Sequence, residues 1–516
     1  FLWLPLVAQE AVLTPEFHKS KRDELRAKMP ANSVVLLFSN PVRNRANDVN
    51  YVYHPDPNFY YLTGFKEPHS VLIVYKNPQQ DVLGQYVDQL FVQERDAAKE
   101  QWNGYRLGVE GAEALGVDRV LLRSEFIKNQ VNFTSFEEVL IFEFENDVRD
   151  DKTDPYDLYD LQRRFKENIN YPKDFNRLRH RLLKSIRTVK KEDVETLKNE
   201  IKWYAGRNES IAADPAIKNF LESSTLEVPE DLKMQVAFLI KDQYFDVELL
   251  GQLLGDQREV KTVEEIALLK RAIGISVVGQ REVMKAMRPD MSEREIQGIH
   301  EFVFKKYGAA YEGYPSIVGA GSNACVLHYI DNDDVGLDSD LMLMDLGAEY
   351  EGYTADITRT IPKDGTFSEE QKLIYQIVYD AQEAGIEAAL VGSTSDQITR
   401  ITQEVVAKGL VRLGIITKED EFRTYYPHGA AHHIGLDVHD LSNYGPFKAD
   451  AIITVEPGIY IPKNSPCDPK WWGIGIRIED DVLITENGPI NLSANAPRSW
   501  EAIEELMKES SPLDQF

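Results

Sequence analysis

The chain is poor in cysteine, with two, Cys325 and Cys467, in 516 residues. That number excludes a disulfide framework, and without a CxxC pair it excludes thiolate zinc sites as well. Long apolar runs are also missing: nothing approaches the roughly 20 residues that a membrane-spanning helix needs. Basic charge is scarce. Lys+Arg number 58 against 85 Asp+Glu, a net charge of -27, and this argues against nucleic-acid binding, which requires a basic footprint. The acidity reads as solubility. What is present is globular in character, with 43% hydrophobic residues. At this length one ordinary core is insufficient, and two domains are expected.

The first residues are FLWLPLVAQE. Phe1–Ala8 looks like the tail of a signal-peptide apolar core without its basic start, which points to an exported or periplasmic protein. The alternative is an N-terminal strand or arm of a cytoplasmic one. Residues 14–184 read as an α/β domain. Apolar runs at SVVLLFSN, HSVLIVYK, QLFVQE, VLLRSE and VLIFEFE alternate with helix-compatible stretches such as EFHKSKRDELRAKM. Residues 185–260 are a helix-rich connecting segment, in which Val194, Leu197 and Ile201 form one apolar face. Residues 261–516 show an internal echo. Thr262-x-x-Glu265 and Ser292-x-x-Glu295 are capping boxes opening two helices, followed by strand-like segments that carry His328, Asp345 and Asp356. Ser368-x-x-Gln371 and Thr394-x-x-Gln397 open two more, followed by strands carrying His432, Glu456 and Glu479. Two helix-helix-sheet halves related by a pseudo-twofold follow from this order.

Asp345, Asp356, His432, Glu456 and Glu479 each sit where a metal ligand would. Asp345 ends the apolar run Leu341–Met344, and Asp356 lies in YTADITRT. Their separation of eleven residues would put them on opposite faces of one strand, so the chain must turn between them, with Gly347 and Gly352 as places to do so. A hairpin with both carboxylates on its inner face is the natural solution. Glu456 and Glu479 need the same device. Glu456 ends the run Ile452–Val455, where an unpaired carboxylate would be costly. Four carboxylates and an imidazole can hold two divalent cations and a bridging water, which supply a hydroxide at neutral pH and clamp a polarised carbonyl. Hard oxygen donors with one nitrogen suit Mn2+, with Co2+ or Zn2+ as alternatives. Four of the ten histidines, His428, His432, His433 and His439, fall within twelve residues in a glycine-containing loop. A lone histidine is usually a satisfied core residue; four so close together read as a functional loop.

These five segments, in this order, resemble the pita-bread metallopeptidases, the group of aminopeptidase P, prolidase and methionine aminopeptidase. The match is strongest to aminopeptidase P, the Xaa-Pro aminopeptidases. RNRANDVNYVYHPDPNFYYLTGFKEPHSVLIV and EQWNGYRLG look like that family's N-terminal domain, and SIVGAGSNACVLHY matches in the second half. The resemblance implies a creatinase/prolidase-type α/β N-terminal domain and an α+β pita-bread catalytic domain. It makes His432 the histidine ligand and has His328, His428 and His439 line the cleft, donating to the scissile carbonyl, the oxyanion or a downstream peptide group. Glu456 would carry the water proton to the leaving proline nitrogen. Arg477 would orient the ligand carboxylates, and Tyr314 and Tyr460 fall at cleft positions, though each fits a core aromatic equally. Trp102 occupies a position that caps the active site, in several members from a neighbouring subunit, which implies a homo-oligomer, dimer or tetramer. His433 has no implied role. The implied reaction is hydrolysis of the bond before proline at position 2 of a peptide. Prolidase action on Xaa-Pro dipeptides is the alternative; a non-catalytic binding protein of this fold is disfavoured by the complete ligand set.

Overall fold

The computed structural model describes residues 12–128, 131–144, 153–223, 228–240, 245–335 and 341–511. The signal-like stretch Phe1–Ala8 lies outside them. No described helix is long and apolar enough to cross a membrane. The chain divides into two compact units, Thr14–Leu253 and Leu254 onward.

The first unit opens with α1 (Pro15–Lys28). Thr14 caps it by accepting from the Phe17 N–H, and proline stands in the first turn where its missing N–H costs nothing. Strands β1 (Ser33–Phe38), β2 (Val71–Asp81), β3 (Gly84–Val92), β4 (Arg119–Leu122), β5 (Glu138–Leu140) and β6 (Phe245–Asp246) form one mixed sheet in the order β4-β3-β2-β1-β5-β6. The run SVVLLF is buried almost throughout, as an unalternating apolar strand covered on both faces should be. The helix-rich segment closes on a cluster of its own. Helices Arg177–Thr188, Val194–Ala205, Pro215–Glu222 and Glu230–Leu239 bury Ile186, Leu197, Ile201, Phe220 and Val236 together. Its last strand, β6, pairs with β5, so the segment up to Leu253 belongs to the first unit.

The second unit is built twice over. α2 (Val263–Ala286) and α3 (Glu293–Lys306) open the first half; α4 (Glu369–Glu387) and α5 (Ser395–Arg412) open the second. The side chains of Thr262, Ser292, Ser368 and Thr394 cap all four helices. The first half then carries β7 (Tyr311–Glu312), β8 (Ile317–Ala320), β9 (Leu341–Asp345), β10 (Ala348–Tyr350), β11 (Tyr353–Thr354) and β12 (Thr358–Pro362). The second carries β13 (Ile452–Val455), β14 (Gly458–Ile461), β15 (Ile474–Arg477), β16 (Asp480–Thr485) and β17 (Gly488–Asn491). In each half one long hairpin is interrupted midway. β9 pairs with β12 and β10 with β11; β13 pairs with β16 and β14 with β15. The first hairpin reverses at Glu351 and Gly352, both with positive φ (50° and 84°), a two-residue turn of the twist that suits antiparallel strands. Gly347 acts differently: a Cβ there would lie 2.0 Å from the Ala355 carbonyl oxygen, so it permits the close crossing at the interruption.

Arg359 on β12 joins the halves. It is wholly buried, ion-paired to Asp480 at 2.7 Å, and donates to the carbonyls of Thr358, Glu479, Ala496 and Pro497. Removing one partner of such a pair leaves an uncompensated buried charge, at about 3–5 kcal/mol. Arg359→Met is therefore expected to lower the urea midpoint by that equivalent with little change in slope. A midpoint within error of wild type would show that this link is dispensable.

Candidate metal centre

The interruptions in the two hairpins are where the candidate ligands sit. Asp345 is the last residue of β9 and Asp356 lies between β11 and β12; Glu456 lies between β13 and β14, and Glu479 between β15 and β16. An unbroken ladder would send neighbouring side chains to alternate faces. At a break the backbone leaves that rule, and all four carboxylates turn to one place. Ligand atoms of Asp356, His432 and Glu479 lie within 4.8 Å of one another. His432 Nε2 is 3.5 Å from Asp356 Oδ2 and 3.6 Å from Glu456 Oε1. Asp345 enters through Tyr314, whose hydroxyl is 2.6 Å from Asp345 Oδ1 and 2.7 Å from Asp356 Oδ1. His432 comes from a loop that runs beside β13, where its backbone N–H bonds the Thr454 hydroxyl. Its Nδ1, 3.1 Å from the His433 carbonyl, donates there, which leaves the Nε2 lone pair facing the carboxylates.

The electrostatics ask for cations. Burial first, then the neighbouring Glu479 and Asp345, hold the Asp356 carboxyl well above its ordinary range. Glu456 is raised well above its range by burial and then by Glu479. Glu479 is pushed up to about 8 by burial and then by Asp345. His432 is lowered to about 3, chiefly by burial, so it is neutral and free to ligate at neutral pH. The single Tyr314 hydroxyl hydrogen cannot serve both aspartates, so without metal a carboxyl proton must fill the second contact. Arg477 is the one side-chain cation bonded to the set among the described residues, on Asp345 at 2.6 Å. Four carboxylates around one neutral imidazole, short of compensating charge, are what hard divalent cations satisfy. The residues fit a divalent-metal centre.

The remaining candidates divide. Arg477 is buried, and besides Asp345 it donates to the Thr358 hydroxyl (3.0 Å) and to Tyr460 (3.0 Å). Tyr460 in turn lies 2.9 Å from His428 Nε2, and His428 Nδ1 lies 2.6 Å from the Gly429 carbonyl. With Nδ1 donating to that carbonyl and Nε2 accepting from Tyr460, His428 has no free N–H for a substrate oxygen; it ends a chain of bonds that starts at Arg477. His439 stacks on His432, centroids 3.9 Å apart and planes at 9°. His328 is exposed and close enough to His439 to lower its pKa, after burial has done so first. Trp102, in the first unit, is 86% exposed.

Three supporting groups escape sequence reasoning. Thr358 donates to Glu479 Oε2 at 2.6 Å. Asp481 accepts the Asp356 backbone N–H at 3.1 Å. His433 contributes its carbonyl to His432 rather than its ring. None of the three left a signal in the sequence: Asp356 lies at the break, so the period of two does not carry from it to Thr358.

Fold and donor set together define a pita-bread metallopeptidase. The family model for metallopeptidase family M24 matches residues 267–486, and that for the aminopeptidase P N-terminal domain matches residues 18–133. The chain is 32% identical to a Xaa-Pro aminopeptidase of Escherichia coli over 95% of its own length and 97% of the relative's. It is 32% identical to one of Haemophilus influenzae, over 97% and 99%. The solved structure of E. coli aminopeptidase P with the inhibitor Pro-Leu superposes with a TM-score of 0.74 at 30% identity, covering 96% of this chain and 98% of that one. The proline aminopeptidase P II of Yersinia pestis gives 0.73, covering 96% and 99%. The chain belongs to the Xaa-Pro aminopeptidase family.

The raised carboxyls fix how stability responds to metal removal. A carboxyl whose folded pKa exceeds its unfolded value favours the folded state only while protonated. Metal-free protein should therefore lose stability as pH rises from about 4.5, the ordinary glutamate value, through about 8 for Glu479. An added divalent cation should restore it across that range. Thermal melts of chelated and Mn2+-loaded protein between pH 5 and 8 check both; a chelated Tm that rises with pH would contradict the charge balance described.

Proposed function

We propose that the chain removes the first residue from peptides with proline in second place, by hydrolysis at a centre where Asp345, Asp356, His432, Glu456 and Glu479 hold two divalent cations, Mn2+ foremost. The observation that carries this is the convergence of carboxylates from both hairpin interruptions, Asp356, Glu456 and Glu479, on one imidazole. Metal-dependent cleavage of the Xaa-Pro bond is the activity of the family. Bound there, the cations supply Lewis acidity to the scissile carbonyl and lower the pKa of the attacking water.

The protein's own groups do the rest. Glu456, with 18% of its side chain exposed, is the group we assign to take the water proton and deliver it to the proline nitrogen. That nitrogen leaves as a secondary amine and must be protonated. Arg477 holds Asp345 and, through Tyr460, His428, so that the cleft wall and the ligand cannot move independently. His439 and His328, free of the bonds that occupy His428, are the donors we assign to the developing oxyanion. The carboxylates that the cations leave uncompensated favour a protonated peptide amino terminus.

Glu456→Ala should retain less than about a tenth of wild-type turnover while the metal-free protein melts no lower than wild type, because a repelling carboxylate has been removed. Activity above that level would end its assignment as proton carrier. Ala-Pro-Ala should be cut and Ala-Ala-Ala left intact, and a tripeptide should be preferred over the Ala-Pro dipeptide. A preference for the dipeptide would favour prolidase action.

The exposure of Trp102 on its own unit supports a role at an interface of a homo-oligomer, where an aromatic lid excludes water from the cleft. Trp102→Ala should lose activity on Xaa-Pro substrates while keeping its Tm and Mn2+ content. Light scattering showing a fully active monomer would rule out a lid donated by a partner.

A further inference from the structure

Two wholly buried glutamines, Gln280 on α2 and Gln382 on α4, make the same pattern of bonds in the two halves. Gln280 Nε2 donates to the Met344 carbonyl at 3.3 Å and to the Ile357 carbonyl at 2.8 Å. Gln382 Nε2 donates to the Val455 carbonyl at 3.1 Å and to Asp480 Oδ2 at 2.9 Å. Met344 precedes Asp345, and Ile357 follows Asp356; Val455 precedes Glu456, and Asp480 follows Glu479. Each amide therefore spends both its hydrogens on the two strands that bear its half's carboxylates, one residue from each of them. The bonds fall at the edges of the interruptions, where the regular ladder gives way to single main-chain bonds such as that from the Leu346 N–H to the Ile357 carbonyl and that from the Ile478 N–H to the Pro457 carbonyl. Both glutamines stand on the first helix of their half, and each helix is fitted closely to that site. On α2, Ser276, one turn earlier, accepts the Ala348 N–H at 2.9 Å just past the break. On α4, a Cβ at Gly385 would come within 2.8 Å of Val455 Cγ1.

We infer that Gln280 and Gln382 are paired positioning residues that set the separation of the carboxylates in each half and so tune the affinity of the centre for its cations. Neither touches a ligand side chain or substrate. The polarity of Gln280 has no other account: its Oε1 has no hydrogen-bond partner among the described residues, and a leucine or methionine would fill the space without an orphaned acceptor. Only the two donated bonds justify an amide there. The repetition of the device in the second half, with an aspartate oxygen in place of one carbonyl, argues against chance. Gln382 is held in turn by Arg498, which donates to its Oε1 at 3.0 Å.

The inference rests on the ligand assignment proposed above, and the test separates the two. Mn2+ binding is measured by calorimetry on wild type, Gln280→Met, Gln382→Met and, as a control, Gln371→Met, which removes a backbone cap from α4 remote from the breaks. Each of the first two variants should weaken Mn2+ binding by about tenfold or more, in the range typical of lost outer partners of metal ligands. Each should also shift the visible absorption of the Co2+-loaded protein. Gln371→Met should lower Tm while binding Mn2+ like wild type. Wild-type Mn2+ affinity and an unchanged Co2+ spectrum in both site variants would overturn the inference and leave the ligand assignment standing. Equal weakening in the control would overturn it too, by showing that any loss of stability suffices. A wild-type chain that binds no Mn2+ would bring down the ligand assignment and this inference together. Should a methionine variant fail to fold, the neutral Gln280→Asn and Gln382→Asn proteins, which keep the amide but shorten its reach, decide in the same way.

Discussion

Four carboxylates forced together out of water are the constraint on which the rest of the second unit depends. Their mutual repulsion cannot be relieved by letting them spread, because each is fixed at a break between strands. The surrounding residues supply what compensation the chain has. Arg477 neutralises Asp345, Thr358 donates to Glu479, and Tyr314 shares one hydroxyl between two aspartates. Arg359 anchors Asp480 beside them and ties the two halves at the same point. The remaining deficit is the affinity for cations. A site built this way holds strain in the metal-free state and releases it on binding, which couples occupancy to stability.

The interrupted hairpin is the structural unit that makes such crowding feasible. A continuous sheet would offer carboxylates on alternate faces at fixed intervals; breaking each hairpin once brings two side chains to the same side while the flanking ladders keep the strands rigid. Using the unit twice brings carboxylates from both halves to one place. The imidazole comes from a separate loop, held beside β13 by main-chain bonds from the Thr454 N–H to the His432 carbonyl and from the Ile434 N–H to the Ile452 carbonyl. His433, beside the candidate ligand, contributes a carbonyl and keeps its ring in the core.

Hydrogen-bond direction assigns work within the histidine cluster. His428 is saturated by Gly429 and Tyr460 and ends the chain of bonds that starts at Arg477. His439, stacked flat on His432, and the exposed His328 keep the capacity to meet substrate. In sequence these histidines look alike. Their difference is a matter of which nitrogen finds a partner inside the protein.

Much was legible before any fold was known. The capping residues at Thr262, Ser292, Ser368 and Thr394 mark four helix starts because the cap is a contact within one turn of chain. The apolar runs before Asp345 and Glu456 mark strands because strand burial is written in consecutive residues. The ligand candidates were visible for the same reason: a carboxylate at the end of an apolar strand is costly unless something compensates it. Thr358, Asp481, Gln280 and Gln382 were not visible, since polar residues on otherwise ordinary strands and helices acquire meaning only from partners 64 to 125 positions away. The place of the helix-rich segment was equally hidden: Val194, Leu197 and Ile201 announce a buried face, but only the packed cluster and the pairing of β6 say what it is buried against. Local periodicity and capping thus reside in neighbouring residues. The convergence of charge, and the compensation it requires, exists only where distant segments meet.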